Sequence, residues 1–115
     1  GLDEVSPSGL THVAELRDGK VREYQVSLEA LGVTPIELDD IKVPDLEAAV
    51  RVFRGALSGG HSSGKTAVVL NAGASFYTLD MVTTLGEGVD LAVTTIESGG
   101  AEAKLNEFIA FTHRD

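Results

Sequence analysis

Cysteine is missing from these 115 residues, so neither a disulfide framework nor a thiolate metal site is open to the chain, and a reducing cytoplasm is permitted. Basic residues are scarce. Nine Lys and Arg stand against 18 Asp and Glu, and the formal charge of −9 repels a phosphate backbone and an anionic bilayer, which disfavours nucleic acid and membrane as partners. An acidic chain that handles phosphates therefore needs metal ions as intermediaries. Long apolar runs are lacking too, and no charged-then-apolar signal opens the sequence, so the expectation is a cytoplasmic protein. The first residue is Gly rather than Met, which predicts a processed chain or a piece of something longer. What remains is enough for one domain around one hydrophobic core.

Two adjacent carboxylates stand near the start, Asp3 and Glu4, among the turn-forming residues Gly1, Pro7 and Gly9. Neighbours on such a loop can both turn oxygens toward one hard cation, and Mg2+ is commonly held by one or two carboxylates with substrate phosphates and water. Adjacent acids on a surface loop are also often simply hydrated.

After this loop (residues 1–9) a hairpin is predicted over 10–26. Asp18-Gly19 suits the two positive-φ positions of a type I′ turn, which sets Glu15 opposite Arg22 as an opposite-charge pair, Val13 opposite Tyr24 and Thr11 opposite Val26 on the core side. His12 then falls on the other face, opposite Gln25, as a partly exposed structural histidine. Residues 27–43 lack a period and contain Glu37, Asp39 and Asp40; they read as a hydrated surface connection.

The region 44–115 reads as helical. Leu46, Ala49, Val50, Phe53 and Leu57 form the stripe of a first helix, capped by Asp45 and ended by Gly59-Gly60. The run 67–70 could equally begin a buried strand, but a stripe through Val69, Ala72, Gly73, Phe76 and Tyr77 favours a helix with small residues for close packing. Thr84 and Glu87 have capping-box spacing, so a third helix should bury Val89, Ala92, Val93 and Ile96 and stop at Gly99-Gly100. A fourth should bury Ala101, Leu105, Phe108 and Ile109, with Phe111 adding to the core and residues 113–115 fraying. By itself this is an α+β order: one hairpin, then four helices.

Residues 59–66 satisfy the nucleotide-loop pattern G-x-x-x-x-G-K-[ST], with Lys65 and Thr66 at the positions that reach phosphate and Mg2+. An independent nucleotide-binding domain is thus the alternative reading. The loop's chemistry requires a buried strand feeding in, whereas the residues before Gly59 carry a helix stripe. The competing interpretation is a helix stop at Gly59-Gly60 and a flexible link at Ser62-Ser63-Gly64.

Several pieces taken together resemble the C-terminal part of the anthranilate phosphoribosyltransferase family. They are Gly1-Leu2-Asp3-Glu4 with Ser6 and Gly9, the stretch Thr11 to Leu16 with Asp18-Gly19, Ala56-Leu57-Ser58-Gly59, the stretch Ala67 to Ala72, and Glu87-Gly88 followed by Ala92, Ile96, Ser98 and Gly99. The resemblance implies a nucleoside phosphorylase/phosphoribosyltransferase-like fold, in which this chain is part of a larger α/β domain. It implies transfer of phosphoribosyl from phosphoribosyl pyrophosphate to anthranilate in tryptophan biosynthesis, in a homodimer when full length. It gives Asp3 and Glu4 the role of binding the Mg2+ ions that escort pyrophosphate. It also supports a helix over 67–81. The family's glycine-rich pyrophosphate loop, its Lys-His-Gly-Asn segment and its N-terminal helical domain have no counterpart here, so the segment alone is expected to be inactive. Ala49 replaces the family's usual asparagine, and Val50 stands where a smaller alanine is common.

Overall fold

A computed structural model describes Leu2, residues 4–60 and residues 62–113. The order is β1 (Thr11–Arg17), β2 (Lys20–Val26), two 3-10 turns (Glu29–Leu31 and Leu38–Ile41), α1 (Leu46–Leu57), α2 (Ser62–Thr78), α3 (Leu85–Glu97) and α4 (Gly100–Thr112). The architecture is thus the expected hairpin followed by four helices.

β1 and β2 pair antiparallel in the expected register, with Thr11 opposite Val26, Val13 opposite Tyr24 and Glu15 opposite Arg22. Asp18 and Gly19 both take positive φ, 52° and 72°, as a type I′ turn demands. The Thr11, Val13, Glu15 side of β1 is the more covered one, because side chains alternate across a strand and this set faces α2. One expected contact is replaced. Glu15 lies opposite Arg22, but its carboxylate is taken by Arg17, at 3.1 Å, and by Tyr77, at 2.7 Å.

The connection over residues 27–43 is more than a surface link. Leu28 is buried in the core beside Val69, Leu70, Val89, Ala92 and Ile96, with Leu31 and Val33 packed against them. The turn chemistry hid this: Leu28 heads a short 3-10 turn closed by Gly32 at φ 67°, too brief to show a period. Asp39 and Asp40 do remain exposed.

α1 begins as expected, with the Asp45 carboxylate accepting the Ala48 N–H at 2.7 Å. Its orientation differs from the expected one. Ala48 and Ala56 are its buried residues, while Leu46, Val50 and Phe53 are 79, 45 and 51 % exposed. The small residues let α1 lie close against the rest of this chain, and the bulky apolar stripe faces outward. α2 starts at Ser62, so the expected flexible link is the helix's first turn, and it ends at Thr78 rather than 81.

α2 and α3 cross with their backbones in contact. Gly88 and Gly73 face each other so closely that a Cβ on Gly88 would lie 2.3 Å from the Gly73 carbonyl oxygen. Around this crossing sits the core, with Leu70 only 1 % exposed. The expected capping box is present: the Thr84 hydroxyl accepts the Glu87 N–H, and the Glu87 carboxylate accepts from the backbone of Thr84. α4 covers α3 with Ala101, Leu105 and Ile109 half-buried, but Phe108 and Phe111 are 62 and 63 % exposed rather than buried. α4 ends at Thr112, and His113 follows as its C-cap with its Nδ1 2.8 Å from the Ile109 carbonyl oxygen; residues 114 and 115 lie outside the described residues. No helix is long and apolar enough to cross a membrane among the described residues.

Candidate functional site

The loop leading into β1 is pinned residue by residue. The Val5 N–H donates to Asn71 Oδ1 at 3.0 Å, and Asn71 Nδ2 donates back to the Val5 carbonyl at 3.3 Å. The Ser6 N–H donates to the Thr11 hydroxyl at 3.0 Å, and the buried Pro7 offers its carbonyl to the Ile36 N–H at 3.0 Å. Pro7 and Gly9 keep this stretch out of the strand, so its backbone groups need such partners.

Glu4 precedes the first of these anchors. Its side chain is exposed, and among the described residues it makes no hydrogen bond or ion pair. It faces an open groove of about 1180 Å³ between the loop, β1 and α2, which it shares with Ser6, Thr11, His12 and Asn71. Asp3, the other half of the acidic pair, lies outside the described residues. His12 is exposed opposite Gln25, as expected, with its Nε2 3.5 Å from the Gln25 side-chain nitrogen, and it lines the same groove. Among the described residues no three His, Asp or Glu side chains converge as a metal cage would require. A Mg2+ ion that relies on one or two carboxylates and a phosphorylated ligand does not need one.

A second cavity, about 520 Å³, lies between the hairpin and the C-terminal half of α2. Its polar end is a network that sequence reading did not find. Tyr77 donates to Glu15; Arg17 also holds Glu15, reaches Asp80 at 2.8 Å and lies over the Tyr77 ring at 5.1 Å. The Tyr77 hydroxyl, with Arg17 and Tyr24 behind it, holds the Glu15 carboxyl below the ordinary carboxylate value, while partial desolvation opposes the shift. The same hydrogen bond raises the Tyr77 hydroxyl. Every partner is internal, so the network ties the hairpin to α2.

The nucleotide-loop pattern sits in the wrong context. The residues before it form α1, and Gly59, at φ 79°, turns the chain out of that helix. Lys65 stands in the first turns of α2 and bonds Glu97 of α3 at 2.9 Å. A phosphate-cradling loop between a strand and a helix is absent from this segment as described, which agrees with the helix-stop reading.

Asn71, which anchors the loop at Val5, is the contact that the sequence did not disclose. It grips Val5 across 66 positions, and a contact of that range leaves no local pattern. Its only visible signal is a polar residue embedded in the apolar run of α2.

The sequence and the fold are similar to those of known proteins. Anthranilate phosphoribosyltransferase from Stutzerimonas stutzeri is 42% identical over 116 residues, covering 97% of this chain and 33% of that protein. The enzyme of the same name from Aromatoleum aromaticum is 39% identical, covering 99% of this chain and 33% of its own length. The crystal structure of anthranilate phosphoribosyltransferase from Thermus thermophilus superposes with a TM-score of 0.87 at 31% identity, over 99% of this chain and 34% of that one. The Saccharomyces cerevisiae enzyme in complex with 4-fluoroanthranilate gives 0.80 at 26% identity, over 96% and 32%. The chain thus spans about a third of the length of the relatives it matches. Residues 1–102 match the a/b domain of the glycosyl transferase family, and the chain belongs to that family.

Proposed function

We propose that this chain is the metal-loop-bearing third of an anthranilate phosphoribosyltransferase, the enzyme that joins anthranilate to phosphoribosyl pyrophosphate for tryptophan synthesis. The observation that carries the reading is a pinned loop, residues 5–7, that presents an unpaired Glu4 carboxylate to an open groove in a chain of this family. Similarity to the enzymes named above over nearly the whole chain supports the substrates.

The oxygen donors fit Mg2+. Glu4 supplies a free carboxylate and Asp3 the adjacent one, with Ser6 nearby, and no soft or nitrogen-rich donor set competes among the described residues. Held by the Glu4 and Asp3 carboxylates, Mg2+ would supply positive charge beside the pyrophosphate that leaves ribose C1 when the anthranilate amine bonds to that carbon. The chain's own part is to carry Glu4 on an anchored loop, and a cation there would offset the repulsion between an acidic chain and so anionic a donor.

The rest of the site lies on the missing part of such an enzyme. In the family's a/b domain the helices need a sheet larger than one hairpin to cover. The outward stripe of Leu46, Val50 and Phe53 and the exposed Phe108 and Phe111 are surfaces for that remainder. The full-length enzyme would work as a homodimer, as the resemblance implies. Alone, the 115 residues are inactive, because orienting two reactants is most of what such a site supplies.

The test is a chimera in which residues 1–115 replace the corresponding third of the Stutzerimonas stutzeri enzyme. Phosphoribosyl transfer to anthranilate by the chimera, and none by the isolated chain, is the expected result. A folded chimera without transfer, or transfer by the chain alone, overturns the reading.

A further inference from the structure

The geometry points to Asn71 as the residue that positions Glu4 in the proposed metal loop, an inference that rests on the magnesium reading above. Asparagine is a poor choice inside a helix, costing roughly 0.5 kcal/mol against alanine, and this one follows the most deeply buried side chain, Leu70. Its amide is fully employed. Nδ2 donates to the Ala67 carbonyl at 3.0 Å, one turn back in α2, and that bond fixes which way the amide faces, since only the NH2 end can meet a carbonyl. So oriented, it offers Val5 an acceptor at 3.0 Å and a donor at 3.3 Å.

Gripping both the N–H and the carbonyl of one residue fixes the peptide planes on either side of it. The plane through the Val5 N–H contains the Glu4 carbonyl, and the Glu4 Cα lies about 3.8 Å from that of Val5. Asn71 thereby sets where the chain delivers Glu4. Among the described residues no other hydrogen bond or ion pair reaches Leu2, Glu4 or Val5, whereas Ser6 and Pro7 have Thr11 and Ile36. The loop's downstream half is held by the hairpin side of the fold; at Val5, next to Glu4, the hold comes from Asn71. Groups that hydrogen-bond a metal ligand directly typically carry about ten- to a hundredfold in metal affinity, and Asn71, acting through the backbone one residue away, is expected at the lower end.

The experiment titrates manganese(II) chloride into the nitrogen-15-labelled chain and reads paramagnetic broadening of the amides of residues 4–9, with hydrogen exchange of the Val5 amide and the melting temperature followed in parallel. Asn71→Ala removes the grip. Asn71→Ser keeps a bond to the Ala67 carbonyl but is too short to reach Val5, and serves if the alanine variant does not fold. Thr94→Ala, on α3 and with a hydroxyl that donates to the Asp90 carbonyl far from the loop, is the reference. In the wild type and the reference, broadening centres on Glu4 and Val5; in the Asn71 variants the dissociation constant for Mn2+ rises on the order of tenfold and Val5 exchanges faster, with α2 and α3 resonances in place. Equal Mn2+ affinity in a folded Asn71 variant, whether or not Val5 exchange quickens, overturns the positioning role. Absence of localised broadening in the wild type shows that the loop alone does not bind the ion and overturns this inference, while the metal reading itself stands or falls with the Mg2+ dependence of the chimera.

Discussion

Replacing Gly88 by alanine tests the helix crossing on which the rest of the chain is built. The new Cβ would meet the Gly73 carbonyl oxygen at 2.3 Å and the Gly73 carbonyl carbon at 2.9 Å, all of it backbone that no rotamer change can clear. The first contact falls about 1.1 Å short of ordinary packing distance, so α2 and α3 must separate, and forced overpacking of this kind costs about 1–3 kcal/mol and occasionally more. Separation also loosens Leu70, Val89, Ala92 and Ile96, the centre of the core. Against this stands the better helix propensity of alanine, worth about 1 kcal/mol. A backbone-on-backbone clash at 2.3 Å puts the cost at the upper end, about 3 kcal/mol, so the net expectation is a loss of roughly 2 kcal/mol, which for a chain of this size lowers the melting temperature by about 8 °C. Gly86→Ala supplies the internal comparison: it lies in the same helix, but its Cβ would find only the Thr84 hydroxyl, at 4.0 Å. That variant should be unchanged or slightly more stable, by roughly 0.5 kcal/mol. Urea unfolding of both variants, followed by circular dichroism, reads the difference. If Gly88→Ala is as stable as Gly86→Ala, the close crossing is wrong.

Other perturbations address the remaining contacts. Thr84→Ala removes the α3 cap and should cost about 1 kcal/mol in the same unfolding assay; no loss would mean that the capping box does not carry the helix start. Glu15 has a carboxyl depressed from its usual value of 4.5, so its contribution to stability is present above that pH and is lost as the pH falls through the folded value. Tyr77→Phe should raise the Glu15 titration toward 4.5 and make the acid-side loss of stability shallower; an unmoved carbon-13 titration of the Glu15 carboxyl would refute the Tyr77 hydrogen bond. Phe53→Ser should leave the stability of this chain within about 0.5 kcal/mol, as for exposed sites generally, while weakening association with the complementary two thirds of a family enzyme. Loss of folding in that variant would place Phe53 in a core where it was not seen.

How much of this was readable in advance depended on the range of each contact. The hairpin register and its turn follow from Asp18-Gly19 and a two-residue period, and the α3 start follows from Thr84 and Glu87 three positions apart; both are local rules. Apolar periodicity then says which helix face is greasy, not what it meets. Leu46, Val50 and Phe53 make a proper stripe on α1, yet this chain buries Ala48 and Ala56 instead, and α4 likewise exposes Phe108. The acidic pair was visible as two neighbouring letters, and the structure adds that Glu4 stands free beside a groove. Asn71 and the Tyr77, Glu15, Arg17 network were not visible, because each joins residues more than 60 positions apart through side-chain geometry alone.

The central claim is that Glu4 helps to hold magnesium for a pyrophosphate-bearing donor, and the most direct measurement is the Mg2+ dependence of phosphoribosyl transfer in the chimera with and without Glu4→Gln. That substitution keeps the size of the side chain and removes its charge. The account predicts that the variant needs far more Mg2+ to reach half of its rate and turns over slowly where the ion is limiting. A Mg2+ dependence identical to that of the parent chimera would contradict it.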